Sequence, residues 1–232
     1  MDRPKDSQKP AKSSAAAPKP DEEGVFSLGT LYLLFYNWVS AVLWAALLGR
    51  VILALVNDDY MHVYERAGFF AKWTQTLAAM EVLHSIFGIV RAPVATTVMQ
   101  VASRFLLVWL IVDKFPALAH SSLAYTTMLL AWSITEVIRY SYFTASLAYG
   151  SAPDWLKWLR YNTFLVLYPL GIGSEVWMVC LACEPARKVH PFFERCCWGV
   201  LAFYAPGAYV LFTHMLAQRK KVMRQLGKAK TK

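Results

Sequence analysis

From Val25 onward the sequence is a succession of apolar runs, most long enough for an α-helix to cross a bilayer. Such a helix needs roughly 20 mainly apolar residues to traverse about 30 Å of hydrocarbon. Lipid offers a backbone amide no hydrogen-bond partner, so segments like these fold as helices that satisfy their own amides. With 57% hydrophobic residues among 232, the chain is too apolar for an ordinary soluble domain. The fold class expected is all-α, a polytopic bundle of six transmembrane helices at 31–56, 74–90, 94–112, 118–147, 159–183 and 198–218. Asn57-Asp58-Asp59, Arg91-Ala92-Pro93, the stretch from Asp113 to Pro116 and the stretch from Gly150 to Asp154 are polar or contain helix breakers, and they separate the runs. The Arg91-Ala92-Pro93 connection is short enough to fold the second and third runs into a close hairpin. No internal repeat is visible, which argues against an inverted-repeat transporter.

Charge sets the expected orientation. The net charge of +9 would suggest nucleic acid in a soluble protein, but here Lys and Arg gather in the tails and connections. Fifteen fall on the side of the N-tail, the Arg91 turn, Lys157, Arg160 and the C-tail, against six on the other. The excess of cations on cytosolic loops places both termini in the cytosol and excludes a nucleic-acid partner. Residues 1–27, rich in Lys, Pro, Ser and Ala, read as a disordered cytosolic tail; 28–218 form the transmembrane domain and 219–232 a basic cytosolic tail. The first run is too long for a secretory signal and is expected to be a retained anchor. Trp38, Trp44, Trp73, Trp155, Trp158 and Trp198 lie near the ends of runs, as interfacial aromatics do. Cys180, Cys183, Cys196 and Cys197 lie in or beside apolar runs and read as reduced thiols, not as a disulfide framework or a zinc site.

Ionisable groups inside a span cost free energy unless they face a packed or wet interior, so each is a functional candidate. Arg50, Glu81, His84, Gln100, Arg104, Glu136, Arg139 and Glu175 all fall in or at the edges of runs. Glu81 and His84 share the Glu-x-x-His spacing of di-iron bundles, but only one copy is present, so a hydrogen-bonded interior pair is expected and no metal. Glu136 and Arg139, three apart, read as an internal ion pair. The five histidines are scattered and form no H-x-x-H-H box, and none of the four cysteines begins a C-x5-R phosphatase loop.

The fifth run is the most irregular. Pro169 leaves the Leu165 carbonyl without its usual donor, and Gly171 and Gly173 loosen the following turn, so a kink or local unwinding is expected there. Gly171-Ile172-Gly173 does not make a dinucleotide loop, since Val176 replaces the third glycine and no strand precedes it. Tyr168 and Glu175 lie seven residues apart, two helical turns, on one face with a rise of about 10 Å. A tyrosine and a carboxylate can perform proton-transfer chemistry, water elimination included, without metal or nucleotide.

Three stretches carry a resemblance: Leu83-His84-Ser85-Ile86-Phe87-Gly88-Ile89-Val90-Arg91; Trp132-Ser133-Ile134-Thr135-Glu136-Val137-Ile138-Arg139-Tyr140; and Leu159-Arg160-Tyr161-Asn162-Thr163-Phe164 through Tyr168-Pro169 to Gly173-Ser174-Glu175. Together they resemble the very-long-chain (3R)-3-hydroxyacyl-CoA dehydratase family, also called protein-tyrosine-phosphatase-like membrane proteins. The resemblance implies a multi-pass enzyme of the endoplasmic-reticulum membrane. It would remove water from (3R)-3-hydroxyacyl-CoA to give trans-2-enoyl-CoA, the third step of fatty-acid elongation, without a cofactor and alongside other elongation enzymes. The family's catalytic pair falls on Tyr168 and Glu175, both unchanged. Ordinary pKa values of about 4 and 10 favour glutamate as base and tyrosine as acid, and burial in a membrane can invert those roles. Arg91, Arg139, Lys157 and Arg160, on the inferred cytosolic side, are candidates to attract the anionic CoA head. The Lys228-Ala229-Lys230-Thr231-Lys232 terminus resembles a dilysine retrieval signal. The same intramembrane charges would also suit a non-catalytic scaffold or assembly factor of the elongation machinery. One tension accompanies the orientation: it turns the Glu175 end of the fifth run toward the lumen, whereas CoA thioesters are cytosolic, so the acyl chain must reach deep into the bundle.

Overall fold

The computed structural model describes residues 27–230, with side chains through residue 228. Most of the amino-terminal tail and the last two residues of the dilysine-like terminus therefore lie outside the described residues. Within them the chain is helical: α1 (Leu28–Asn57), α2 (Val63–Leu77), α3 (Ala79–Ile86), α4 (Val94–Phe105), α5 (Pro116–Ser121), α6 (Leu123–Tyr149), α7 (Asp154–Asn162), α8 (Phe164–Val189) and α9 (Pro191–Lys230). A 3-10 turn (Tyr60–His62) precedes α2, and a π-helical stretch (Leu106–Val112) continues α4.

The sequence of α1 explains how the bundle begins. Ser27 caps it by accepting the Thr30 amide at 3.2 Å. Its buried residues Asn37, Ser40, Trp44, Leu47, Val51 and Ala54 repeat at alternating spacings of three and four, a seam for one long neighbour. That neighbour is α6, against which α1 packs most extensively. The opposite face keeps Phe35, Trp38, Val42 and Leu53 exposed, as a lipid-facing surface requires. α6 lies between α1 and α8 and buries Ala131, Trp132 and Ser133 in succession, so it is enclosed on more than one side. Enclosure is what allows it to carry Glu136 and Arg139 in its middle. Among the described residues, the backbone of α9 runs alongside α7 and α8.

Four helical segments are long and apolar enough to cross a membrane: Leu28–Asn57, Val94–Val112, Asp154–Val189 and Pro191–Lys228. The protein is thus multi-pass in composition and length. The run expected at 94–112 coincides with its segment. Elsewhere the structure corrects the sequence reading. The run at 118–147 divides at Ser122, an extended residue whose hydroxyl accepts the Ala124 amide and starts α6 afresh. The run at 74–90 ends earlier and begins earlier: α2 and α3 follow one another from Val63, and Phe87 to Val90 form a turn in which Gly88 takes φ +67°. The Ser85 hydroxyl donates to the Ala92 carbonyl at 2.9 Å across this turn, closing the α3–α4 hairpin that the short connection predicts. Of the kink or local unwinding expected near Pro169, the unwinding does not occur, since α8 is helical from Phe164 to Val189 with Pro169 and Pro185 inside it. Trp44 is no interfacial anchor either; at 2% exposure it belongs to the core.

Candidate active site

α8 supplies both members of the expected pair. Glu175 is buried on the face of α8 that meets α6, and each of its oxygens accepts one hydrogen bond. Trp132 Nε1 on α6 donates to Oε1 at 2.8 Å, and the Tyr204 hydroxyl on α9 donates to Oε2 at 2.9 Å. One residue earlier, Ser174 Oγ lies 2.7 Å from Thr127 Oγ1 on α6, which fixes the register of the two helices beside the carboxylate. Gly171, a turn above, faces Ala131 of α6: a Cβ there would stand 3.6 Å from that of Ala131, an ordinary contact distance.

Tyr168 is half-buried. Its ring stacks on Phe212 with centroids 5.6 Å apart, and its hydroxyl donates to the Ala208 carbonyl at 3.1 Å. Tyr168 and Glu175 do not bond to each other among the described residues. They are instead tethered to positions on α9 one turn apart, Ala208 and Tyr204, against two turns on α8. The free protein thus holds a phenol that donates and a carboxylate that accepts at both oxygens.

Behind Trp132 runs a chain of alternating charges. Arg104 lies over the Trp132 ring at 4.9 Å and donates to Glu136 Oε1 at 2.5 Å. Glu136 Oε2 accepts from Arg139 Nε at 2.5 Å, and Arg139 reaches both oxygens of Glu81 at 2.7 and 3.0 Å, the two-pronged geometry that suits a guanidinium. The Tyr140 hydroxyl also donates to Glu81. The ion pair expected between Glu136 and Arg139 is present. The Glu81–His84 pair is not: Arg139 and Tyr140 take Glu81, and His84 Nε2 lies 2.8 Å from the Tyr32 hydroxyl. A bidentate guanidinium outcompetes a neutral ring for the carboxylate. Two cations and two anions compensate one another here, so the chain adds no net charge to the interior.

The four candidate CoA-binding cations differ in how they are engaged. Arg139 is engaged by Glu81 and Glu136. Lys157 pairs with Asp154 at 3.1 Å, and Arg91 is exposed in the α3–α4 turn. Arg160 lies 4.6 Å over the rings of both Tyr142 and Phe143, with its Nε buried and without a protein partner. Two cavities, of about 220 and 670 Å³, lie apart from the pair: one beside Lys72 and Asp113, the other between Trp155 and Trp158 of α7 and Met223 of α9. Arg50, suspected from sequence, sits at the end of α1 against the Arg66 carbonyl and the Phe70 ring.

Two residues that hold Glu175 were not picked out from sequence. Trp132 stood inside a recognised motif but looks like any core aromatic, and Tyr204 is one of several aromatics on an apolar helix.

A polytopic helical protein with a buried carboxylate and a tyrosine on one helix is the class defined by these features. A family model described as protein tyrosine phosphatase-like protein, PTPLA, matches residues 75–225, and the chain belongs to that family. It is 42% identical over 202 residues to a probable very-long-chain (3R)-3-hydroxyacyl-CoA dehydratase of Schizosaccharomyces pombe, covering 86% of this chain and 96% of that protein. It is 41% identical over 206 residues to the dehydratase PASTICCINO 2A of Oryza sativa subsp. japonica, covering 83% and 93% respectively. The dehydratase hpo-8 of Caenorhabditis elegans is 37% identical over 208 residues, covering 83% and 94%. No solved structure matches the chain.

Proposed function

We propose that this protein is a very-long-chain (3R)-3-hydroxyacyl-CoA dehydratase, a hydro-lyase that forms trans-2-enoyl-CoA in the third step of fatty-acid elongation. The observation that carries this is its similarity along 83–86% of its length to proteins named for that activity. Elimination breaks the C2–H and C3–O bonds and leaves a C2–C3 double bond conjugated with the thioester carbonyl. Glu175 takes the C2 proton, which the neighbouring thioester acidifies, and Tyr168 gives its phenolic proton to the C3 hydroxyl, which leaves as water. Exchange of one proton with solvent then restores both groups. Supporting this division, Glu175 accepts hydrogen bonds at both oxygens and Tyr168 already donates one. To act, the Tyr168 hydroxyl turns from the Ala208 carbonyl onto the substrate.

Detergent-purified protein incubated with a long-chain (3R)-3-hydroxyacyl-CoA is expected to yield the trans-2-enoyl product. Tyr168→Phe and Glu175→Gln each abolish turnover while the unfolding transition stays in place; full activity in either variant removes it from the site. A specific observation favours a second reading, a non-catalytic scaffold of the elongation machinery: the buried charge chain already fixes helix packing. Under that reading Glu175→Gln lowers stability and there is no turnover to lose.

The anionic CoA head is met by Arg91, Arg139, Lys157 and Arg160. Arg160 and Arg91 have no carboxylate partner among the described ion pairs, so they bear most of this role, and Arg139 acts through its carboxylates. Neutralising all four raises KM for the CoA substrate by about tenfold or more, as loss of charge-assisted contacts worth about 1.5–3 kcal/mol each requires; unchanged KM rules the assignment out.

We further propose six crossings with both termini cytosolic, α2 with α3 and α6 adding two to the four long apolar segments. The supporting observation is the distribution of Lys and Arg, fifteen against six. Residues 1–27 and 219–232 are then cytosolic tails flanking a dehydratase domain at 28–218. The setting is the endoplasmic-reticulum membrane, consistent with the Lys228 and Lys230 spacing. Other elongation enzymes are the natural partners, since they make its substrate and consume its product.

A further inference from the structure

Resting on the dehydratase reading, we propose that Tyr204 is a positioning residue for Glu175, the third side chain of the site. A glutamate carboxyl rotates freely about its last bond unless something fixes it, because that torsion has broad wells. Trp132 alone, holding Oε1 through a nitrogen that can only donate, restrains one oxygen and leaves the group free to swing about that contact. The Tyr204 hydroxyl, arriving from a different helix at 2.9 Å, restrains the other. Two donors from α6 and α9 fix the plane of a carboxylate carried by α8.

The position of Tyr204 connects it to both reacting groups. Ala208, whose carbonyl holds the Tyr168 hydroxyl, stands one turn further along α9 on the same face. One face of α9 therefore registers the base and the acid with respect to each other. The Glu175 carboxylate makes no ion pair with any described cation; Arg104, the charge nearest to bear on it, is held by Glu136, so the two neutral donors are its hydrogen-bond partners. In this proposal Tyr204 gives and takes no proton itself; it acts through Glu175.

The test is steady-state kinetics on the full chain in detergent with a long-chain (3R)-3-hydroxyacyl-CoA. Tyr204→Phe keeps the ring and removes only the hydroxyl. It is expected to lower kcat by about 10- to 100-fold, the effect of a small misplacement of a reacting group. KM should stay within about twofold, since uniform binding is untouched, and the unfolding midpoint should not move. On a Glu175→Asp background, where the shortened side chain has already left the hydroxyl, Tyr204→Phe should cost less than about twofold more, because both changes remove one interaction. An unchanged kcat in the single variant overturns the proposal. So does a fall in kcat matched by a rise in KM and a lowered unfolding midpoint, which marks a packing role, or a full multiplicative loss on the Glu175→Asp background. An inactive wild type overturns the dehydratase reading itself; an active wild type with a fully active Tyr204→Phe overturns the positioning role alone.

Discussion

At the scale of single residues, the interior carboxylates divide by the company they keep. Glu136 sits between Arg104 and Arg139, while Glu175 has only neutral donors. Removing the charge of Glu136 leaves two guanidiniums competing for what remains, and breaking a buried ion pair from one side costs about 3–5 kcal/mol. Glu136→Gln is therefore expected to lower unfolding stability in detergent by about that amount, whereas Glu175→Gln leaves stability near wild type. Equal stability losses in the two variants would erase the distinction. The contrast also explains what could be seen in the sequence. Glu175 was conspicuous because a carboxylate in an apolar run demands an explanation. Tyr204 was not, because a phenol is at home in an apolar helix or at its ends, and only a contact from another helix reveals its hydroxyl as a donor.

Elements were legible where one local signal decided them. The segment 94–112 is uninterrupted and apolar, and the structure reproduces it. The break at Ser122 went unread because the flanking Leu118 to Leu130 pattern continues a helix by composition; a side chain capping the Ala124 amide is a choice the surrounding packing makes. At Pro169 the helix continues without unwinding. Loss of one amide donor does not end a helix that neighbours hold on both sides, and α8 is flanked by α6 and α9. Gly171 faces Ala131 at this contact, with room for a Cβ at ordinary contact distance. Gly171→Leu is expected to wedge α8 from α6, destabilising the protein by about 1–3 kcal/mol as overpacked sites do, with dehydration lost because Glu175 moves away from Trp132. Wild-type stability and turnover in that variant would show that the two helices tolerate a wider gap.

For the whole molecule, the proposed orientation places the amino-terminal tail, the α3–α4 turn, the α6–α7 connection and the end of α9 on one side. In sealed microsomes, protease added from outside should remove epitope tags from both termini. A maleimide that cannot cross membranes should label a cysteine substituted at Ser151 and leave one substituted at Lys188 untouched until detergent is added. Protection of either terminus would refute the six-crossing arrangement. Composition made the membrane class plain, but the crossing number was harder to read. α6 is polar enough, with Glu136 and Arg139 at its centre, to escape the pattern of a lone lipid-exposed helix; it is sheltered by neighbours that no local window of sequence reveals.

That the backbone of α9 runs beside α7 and α8 leaves it two unlike sides. Its outer residues, Phe203, Tyr209 and Val210 among them, are exposed and answer to no partner within the protein. Tyr204, the register at Ala208 and the Phe212 ring stacked on Tyr168 tie it to the chemistry. Substitutions along most of this outer face therefore alter the wall that meets the lipid and leave the charges around α6 where they are. One helix thus presents lipid on one side and holds the buried carboxylate on the other.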